Sequence, residues 1–309
     1  MSAVMSVIEA LREAPKILTE CAIAERLRRR DDVALHPTLF NTPLIYDDAG
    51  RAAMTEIYEQ YLAIAREAKL PLLLCAPTWR LDRDRIAKAA ELGRPVPATI
   101  NADAVAFMKG LRDAWTRPDS PVYVGALMGP RHDCYKPEEG LDEESARDFH
   151  SAQARELAAA GAEVVVAQTL PHVGEARGLA RAVAAEGLPV LVSFVIGKDG
   201  KVLDGHSLAE AIAAVDSLEP APVGVMTNCS WPGYVPEELL TSPLNERYLG
   251  MQANASSREA AELEGSATLE QDRLETWLAG MARLHRGGVR LLGGCCGTDD
   301  RYLRGLAEL

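Results

Sequence analysis

The chain has 309 residues, 33 Lys+Arg against 45 Asp+Glu, a formal net charge of −12 and a pI near 5.1. Its one basic run, Arg26 to Arg30 broken by Leu27, is followed at once by Asp31 and Asp32, so no cluster suited to a phosphate backbone exists. No segment approaches the roughly 18 unbroken apolar residues of a membrane span, and six cysteines are too few to staple a chain of this length.

Nucleic-acid-binding, membrane and secreted classes are therefore set aside, and a reduced, cytoplasmic protein is expected, with homo-oligomerisation left open. Met1 to Pro15 carries Glu9, Arg12 and Glu13 in a helical pattern and lacks the basic start and apolar centre of a secretory signal. Eight short apolar runs follow. The first four are Lys16–Cys21, Pro71–Cys75, Val122–Met128 and Glu163–Thr169; the others are Pro189–Val195, Pro222–Asn228, Tyr248–Asn254 and Val289–Gly294. Each is nearly continuous in apolar character, as strands buried on both faces should be.

Between them, Glu143–Ala160, Glu175–Ala185 and Leu208–Leu218 repeat apolar residues at helical spacing, and Gly161 and Gly187 stand where helices should stop. Asp31–Gly50, with Pro37 and Pro43, reads as an extended first loop over the active face. Eight strands alternating with helices predict a single-domain (β/α)8 TIM barrel over residues 1–309. A doubly wound sheet would also alternate, but no Gly-x-Gly-x-x-Gly follows the first strand.

Function in such barrels gathers at the C-terminal strand ends. Cys229 follows strand six, and Cys295 and Cys296 follow strand eight; a single strand separates the two in the ring, so their ends can converge over the mouth. Three converging thiolates suit Zn²⁺ and leave one tetrahedral position open, as in catalytic sites. Other readings stand beside this one. Buried cysteine is a common apolar filler, the reading given to Cys75 and Cys134. Cys295 and Cys296 could form a vicinal redox disulfide, and the Gly293-Gly294 turn could cradle a phosphate.

The stretches GVMTNCSWPGYV on strand six and LLGGCCGT on strand eight resemble the paired signatures of the homocysteine S-methyltransferase family. LMGP after strand three, LDEESARDFHSAQARELAAAGAEVVVAQTLP around strand four, PVLVSFVIGKDGKVLDGHSLAEAI around strand five and QANAS at strand seven agree with it. The resemblance covers the whole chain and is weakest over the first 100 or so residues. It implies a zinc ion on Cys229, Cys295 and Cys296, and methyl transfer to a thiol that takes the fourth position. An alkyl thiol of pKa near 8.5 is only a few per cent thiolate at neutral pH, and coordination shifts this strongly.

A stand-alone barrel implies a small diffusing donor, a sulfonium such as S-methylmethionine or a quaternary amine such as a betaine. Trp79 or Trp231 could face such a cation, though packing is the commoner role of either. Homocysteine, giving methionine, is the leading acceptor. A selenol acceptor, a non-catalytic zinc barrel that binds a small sulfur compound, and a phosphate-binding barrel enzyme are the rivals.

Two departures from the family pattern concern the acceptor pocket. Strand one usually ends Asp-Gly-Gly where this chain has Thr19-Glu20-Cys21, and strand four usually ends Glu-Thr where it has Gln168-Thr169. In relatives those acids hold the ammonium of homocysteine, an interaction worth about 1.5–3 kcal/mol. The expectation is a divergent member that either holds homocysteine differently, with Glu20 as the replacement carboxylate, or takes a thiol without a free ammonium. Thr19, Glu20, Gln168, Asn228 and Asn254 are the candidate substrate residues, the two asparagines alternatively bracing the metal shell. Cys21 is read as a small side chain in place of a glycine, and His172 is left outside the site.

Overall fold

The computed structural model describes residues 5–259 and 269–309; Met1 to Val4 of the predicted N-terminal helix lie outside the described residues. All eight apolar runs are strands. They are β1 (Ile17–Thr19), β2 (Leu72–Ala76), β3 (Val122–Met128), β4 (Val164–Leu170), β5 (Val190–Phe194), β6 (Gly224–Asn228), β7 (Tyr248–Ala253) and β8 (Leu291–Gly294). Each pairs in parallel with its sequence neighbours, and Ile17 of β1 registers with Leu291 of β8, closing the barrel.

Because strand side chains alternate, each run supplies two layers. Ile17, Leu73, Tyr123, Val166, Leu191 and Met226 pack together inside the barrel. Their neighbours Leu18, Leu72, Val124, Val165, Val192 and Val225 join the larger core under the helices. This double burial explains why the runs are continuous rather than alternating in hydrophobicity.

The helices are α1 (Val7–Glu13), α2 (Ala24–Arg28), α3 (Asp48–Ala68), α4 (Arg83–Glu91), α5 (Ile100–Trp115) and α6 (Glu143–Ala159). They continue with α7 (Val173–Ala185), α8 (Leu208–Asp216), α9 (Glu237–Leu240), α10 (Leu274–Arg286) and α11 (Asp300–Glu308). A capping box between Ser6 and Glu9 starts α1, whose Val7, Ala10 and Leu11 join the interior cluster. That helix thus plugs the N-terminal end of the barrel, leaving the C-terminal end for the site. No helix among the described residues is long and apolar enough to cross a membrane.

Three local differences from expectation have physical causes. The predicted loop Asp31–Gly50 is partly structured: His36 and Phe40 form an antiparallel bridge, Thr42–Tyr46 is a 3-10 turn, and Asp47 caps α3 from Asp48. Helix α7 starts two residues early because the His172 ring nitrogen caps it, accepting from the Glu175 N–H. Strand β4 carries a bulge: Ala167 pairs with Val192 but Leu170 with Phe194, so β4 has one more residue over this span. Bulges beside active sites re-aim side chains, and this one lies at Gln168 and Thr169.

Candidate metal centre

The three predicted cysteines meet. Their Sγ atoms all lie within 4.8 Å of one another, the one cysteine-rich group of this kind among the described residues. Cys229 and Cys295 have their Cα atoms 5.5 Å apart and their sulfurs in direct contact, with the Cys296 sulfur beside them.

Strand β7 carries the group. The Cys229 N–H donates to Gln252 O at 3.2 Å and the Cys295 N–H to Ala253 O at 2.8 Å, while Cys296 O accepts from the Ala255 N–H at 2.9 Å. The ladder thus extends past the strand ends and fixes both cysteine segments to one template. Cys229 itself has φ 51°, a left-handed conformation uncommon for a residue with a side chain. The glycines before Cys295 let the end of β1 press against β8. A Cβ on Gly293 would sit 2.6 Å from Thr19 Cγ2, and one on Gly294 would sit 2.8 Å from Cys21 Sγ. Gly293 and Gly294 are the last residues of β8, packed against Thr19, Cys21 and Thr298, and Gly294 lines the adjoining cavity.

A cavity of about 410 Å³ opens above the cysteines. Glu20, Gln168, Thr169 and Gln252 line it together with Cys229, Cys295 and Cys296, and the far wall is made by Phe40, Trp79, Arg80 and Tyr135. Among the described residues, three of the four non-glycine residues with positive φ, Phe40, Thr169 and Cys229, line this cavity. Strained backbone concentrated at one cavity is typical of functional sites.

Asn228 is wholly buried at the end of β6. Its Oδ1 accepts from the Thr169 N–H (2.9 Å) and Ser193 Oγ (2.6 Å), while its Nδ2 donates to Thr169 Oγ1 (2.8 Å) and Cys229 Sγ (3.3 Å). It therefore ties the β4 bulge, β5 and a cysteine of the cluster together without lining the cavity. Asn254 is buried as well; its backbone carbonyl accepts from Trp277 Nε1 at 2.8 Å, and its Oδ1 has no partner. Thr19 is buried and donates to Glu20 Oε2 at 3.2 Å. Of the five residues expected at substrate, Glu20 and Gln168 line the cavity and Thr19, Asn228 and Asn254 do not.

Gln168 donates to Gln252 Oε1 at 2.7 Å and Gln252 donates to Glu20 O at 3.2 Å, an amide chain across the mouth. Gln252 was missed in the sequence reading, although it stands in the QANAS stretch. Glu20 accepts from the Cys75 N–H at 3.2 Å and from Thr19 Oγ1, yet burial outweighs these bonds and raises its pKa to about 7. Burial also raises the Cys21 and Cys134 thiols to about 12, so both are neutral at pH 7. Both are buried and line the cavity, Cys21 also packing into the main core, while Cys75 fills the barrel interior. Cys296 reaches solvent at the mouth, but crowding around its sulfur, with Glu25 nearby, raises its pKa to about 12.

Trp79 is in the wall, but its ring already carries a cation: the Arg80 guanidinium lies 4.8 Å from its centroid, and Phe40 stacks on it at 5.9 Å. Trp231 does not line the cavity, and His172 is occupied as a helix cap.

In metal-free protein, Glu20 gives a signed pH dependence. A carboxyl that titrates near 7 when folded and near 4.5 otherwise keeps its proton longer in the native state. The folded state then holds more protons between these values, so stability falls as pH rises through that window, by about 3 kcal/mol in total. Urea unfolding at pH 4.5 and 8 should show this loss in the wild type, and Glu20→Gln should flatten it.

Three sulfurs on one tetrahedral zinc at about 2.3 Å would stand about 3.8 Å apart. A set of three Sγ atoms within 4.8 Å, at the open end of the barrel and facing a cavity, fits such an ion.

A model of the homocysteine S-methyltransferase family matches residues 17–309. Homocysteine S-methyltransferase 3 of Arabidopsis thaliana is 25% identical over 282 residues, covering 83% of this chain and 79% of its own. Selenocysteine Se-methyltransferase of Brassica oleracea var. italica is 29% identical over 175 residues, 53% of this chain and about half (48%) of that protein. The metallated homocysteine methyltransferase MmuM from Escherichia coli superposes with a TM-score of 0.73 at 19% identity, over 96% of this chain and 97% of that one. The likeness in fold spans both chains almost end to end, the cysteine cluster lies where the motifs placed it, and the chain belongs to the homocysteine S-methyltransferase family.

Proposed function

We infer that this protein is a zinc-dependent S-methyltransferase in which Cys229, Cys295 and Cys296 hold Zn²⁺ and a small thiol receives a methyl group from a small onium donor. The observation that carries the reading is the cluster of three sulfurs opening into a cavity at the C-terminal end of the barrel. Zinc bound there would lower the pKa of the acceptor thiol, making it a nucleophile at neutral pH. The protein's own residues do the rest. The β6–β7–β8 ladder holds the ligands in register, Asn228 braces Cys229, and the wall from Phe40 to Arg80 encloses the reactants. Bringing acceptor sulfur and donor methyl into line is itself a large part of such catalysis.

Homocysteine is the leading acceptor, held differently from the family pattern. Gln168 offers a neutral amide, and of the two carboxylates lining the cavity Glu25 is engaged by Arg28, Arg29 and the Gly297 N–H. Glu20 accepts only from neutral donors and is the carboxylate left for an ammonium or an onium group. A selenol acceptor is the second reading, supported by the likeness to the Brassica enzyme.

Turnover by zinc-loaded protein, followed by mass spectrometry with S-methylmethionine or betaine as donor, tests both readings. Methylated homocysteine is the expected product, and a preference for selenocysteine would favour the second reading. Transfer to no thiol or selenol would leave a non-catalytic barrel. Competition between homocysteine and 4-mercaptobutanoate reports on the ammonium; a strong preference for homocysteine that survives Glu20→Gln would exclude Glu20 as its partner.

A further inference from the structure

The cavity wall contains a cation, Arg80, that no hydrogen bond or ion pair engages among the described residues. Arg80 lies just after β2, and its guanidinium rests over the rings of Phe40 at 4.3 Å and Trp79 at 4.8 Å. Its Nε is buried without a partner, and no hydrogen bond or ion pair joins the guanidinium to any acceptor among the described residues. The nearby carboxylates are committed elsewhere: Asp82 to Arg85 at 2.5 Å and to the cap of α4, and Asp133 to the Tyr135 N–H at 2.9 Å. A half-buried charge left this way is unfavourable unless a ligand completes it.

The two residues before the arginine are firmly anchored. Thr78 Oγ1 donates to Leu127 O at 2.7 Å, Gln153 Nε2 to Thr78 O at 2.7 Å, the Gly129 N–H to Trp79 O at 3.1 Å, and Trp79 Nε1 to Gln168 O at 3.0 Å. Phe40, beneath the guanidinium, keeps a φ of 53°, so strained backbone is maintained at this spot. A planar guanidinium stacked on aromatic rings with its fork free is the geometry that takes a carboxylate bidentately.

We propose that Arg80 is the carboxylate-binding residue of the cavity, so that a substrate is anchored by its carboxylate on Arg80 while its reacting end points toward the cysteine cluster. The ligand chemistry is a small aliphatic carboxylate. Built on the methyltransfer reading above, this explains how the site functions with Thr19 and Gln168 where relatives carry acids: recognition moves from the ammonium to the carboxylate. Either the acceptor or the donor can supply that group, since homocysteine, S-methylmethionine and betaine all bear one.

The test separates these sources and does not depend on turnover. Binding of 4-mercaptobutanoate and of 4-mercaptobutan-1-ol, and of butanoate and butan-1-ol as probes without sulfur, is measured by calorimetry and tryptophan fluorescence. Wild-type protein should prefer the carboxylate member of each pair by about tenfold to a hundredfold, the range for a charge-assisted hydrogen bond. Arg80→Gln should erase the preference and Arg80→Lys should retain part of it. In kinetics, Arg80→Gln should raise KM for the substrate whose carboxylate it binds, acceptor or donor, and leave kcat at saturation nearly unchanged. No preference in the wild type, or a preference that persists in Arg80→Gln, overturns the proposal. The wild-type comparison holds even if that variant does not fold. If the carboxylate preference is found and zinc-loaded protein methylates nothing, the methyltransfer reading fails and the Arg80 assignment stands.

Discussion

Replacing Cys295 by serine should reduce zinc retained after dialysis against a chelator from near one ion per chain to near none, and slow methyl transfer by at least about 10³-fold. Part of the loss is nucleophile concentration: an uncoordinated alkyl thiol is a few per cent ionised at neutral pH, which alone removes roughly 30-fold. The remainder is positioning, because an acceptor no longer held at the cluster loses the advantage of a fixed near-attack geometry. Serine offers a hard, protonated oxygen in place of a soft thiolate, so isosteric replacement does not rescue binding. Cys75→Ala is the matched control: its sulfur lies in the barrel interior, so the change should lower stability modestly and leave the zinc content intact. Metal analysis and single-turnover rates on the two variants check both statements.

Asn228→Ala should be the most damaging change outside the ligand set. It leaves the Thr169 N–H and Ser193 Oγ, both buried, without their acceptor, and each such loss amounts to about 1–3 kcal/mol. It also removes the amide that reaches Cys229 Sγ and Thr169 Oγ1. Thr169 holds a φ of 65°, which a β-branched residue adopts only where its surroundings impose it, so the β4 bulge should relax when the amide is gone. The expected result is an unfolding free energy lower by about 3 kcal/mol and zinc affinity lower by about 10- to 100-fold, read by urea unfolding and chelator competition. Asn228→Asp should keep the two bonds to Oδ1 and lose those from Nδ2, and its added charge beside the thiolates separates packing from electrostatics.

The barrel was legible because its signal is periodic. Strands buried on both faces are Val- and Leu-rich runs, and all eight emerged within a few residues of their predicted bounds. The cysteine cluster was legible for a related reason: in a closed barrel, residues that follow β6 and β8 must end at the same rim, whatever the details between. Features that depend on a third element were not legible. The β4 bulge places Gln168 and Thr169 at the mouth, but it is a mismatch of register with β5 that no local pattern in VVVAQTL announces. Asn228 stands beside a ligand in sequence and was expected either at substrate or bracing the metal shell; its four bonds, three of them to β4 and β5, favour the brace. Trp79 suggested a platform for an onium donor, but the residue next to it in sequence supplies the cation over its ring. Phe40, called part of a loop, completes that stack because its bridge to His36 folds the first loop back over the cavity.

The central claim is that three cysteines from β6 and β8 form one zinc site with a position open to a thiol. X-ray absorption at the zinc edge, on fully reduced protein loaded with one equivalent of zinc, tests it most directly. Three sulfur scatterers at about 2.3 Å and a light fourth ligand are expected, the latter replaced by a fourth sulfur when homocysteine is added. A shell dominated by nitrogen and oxygen, or a spectrum indifferent to the thiol, would contradict it.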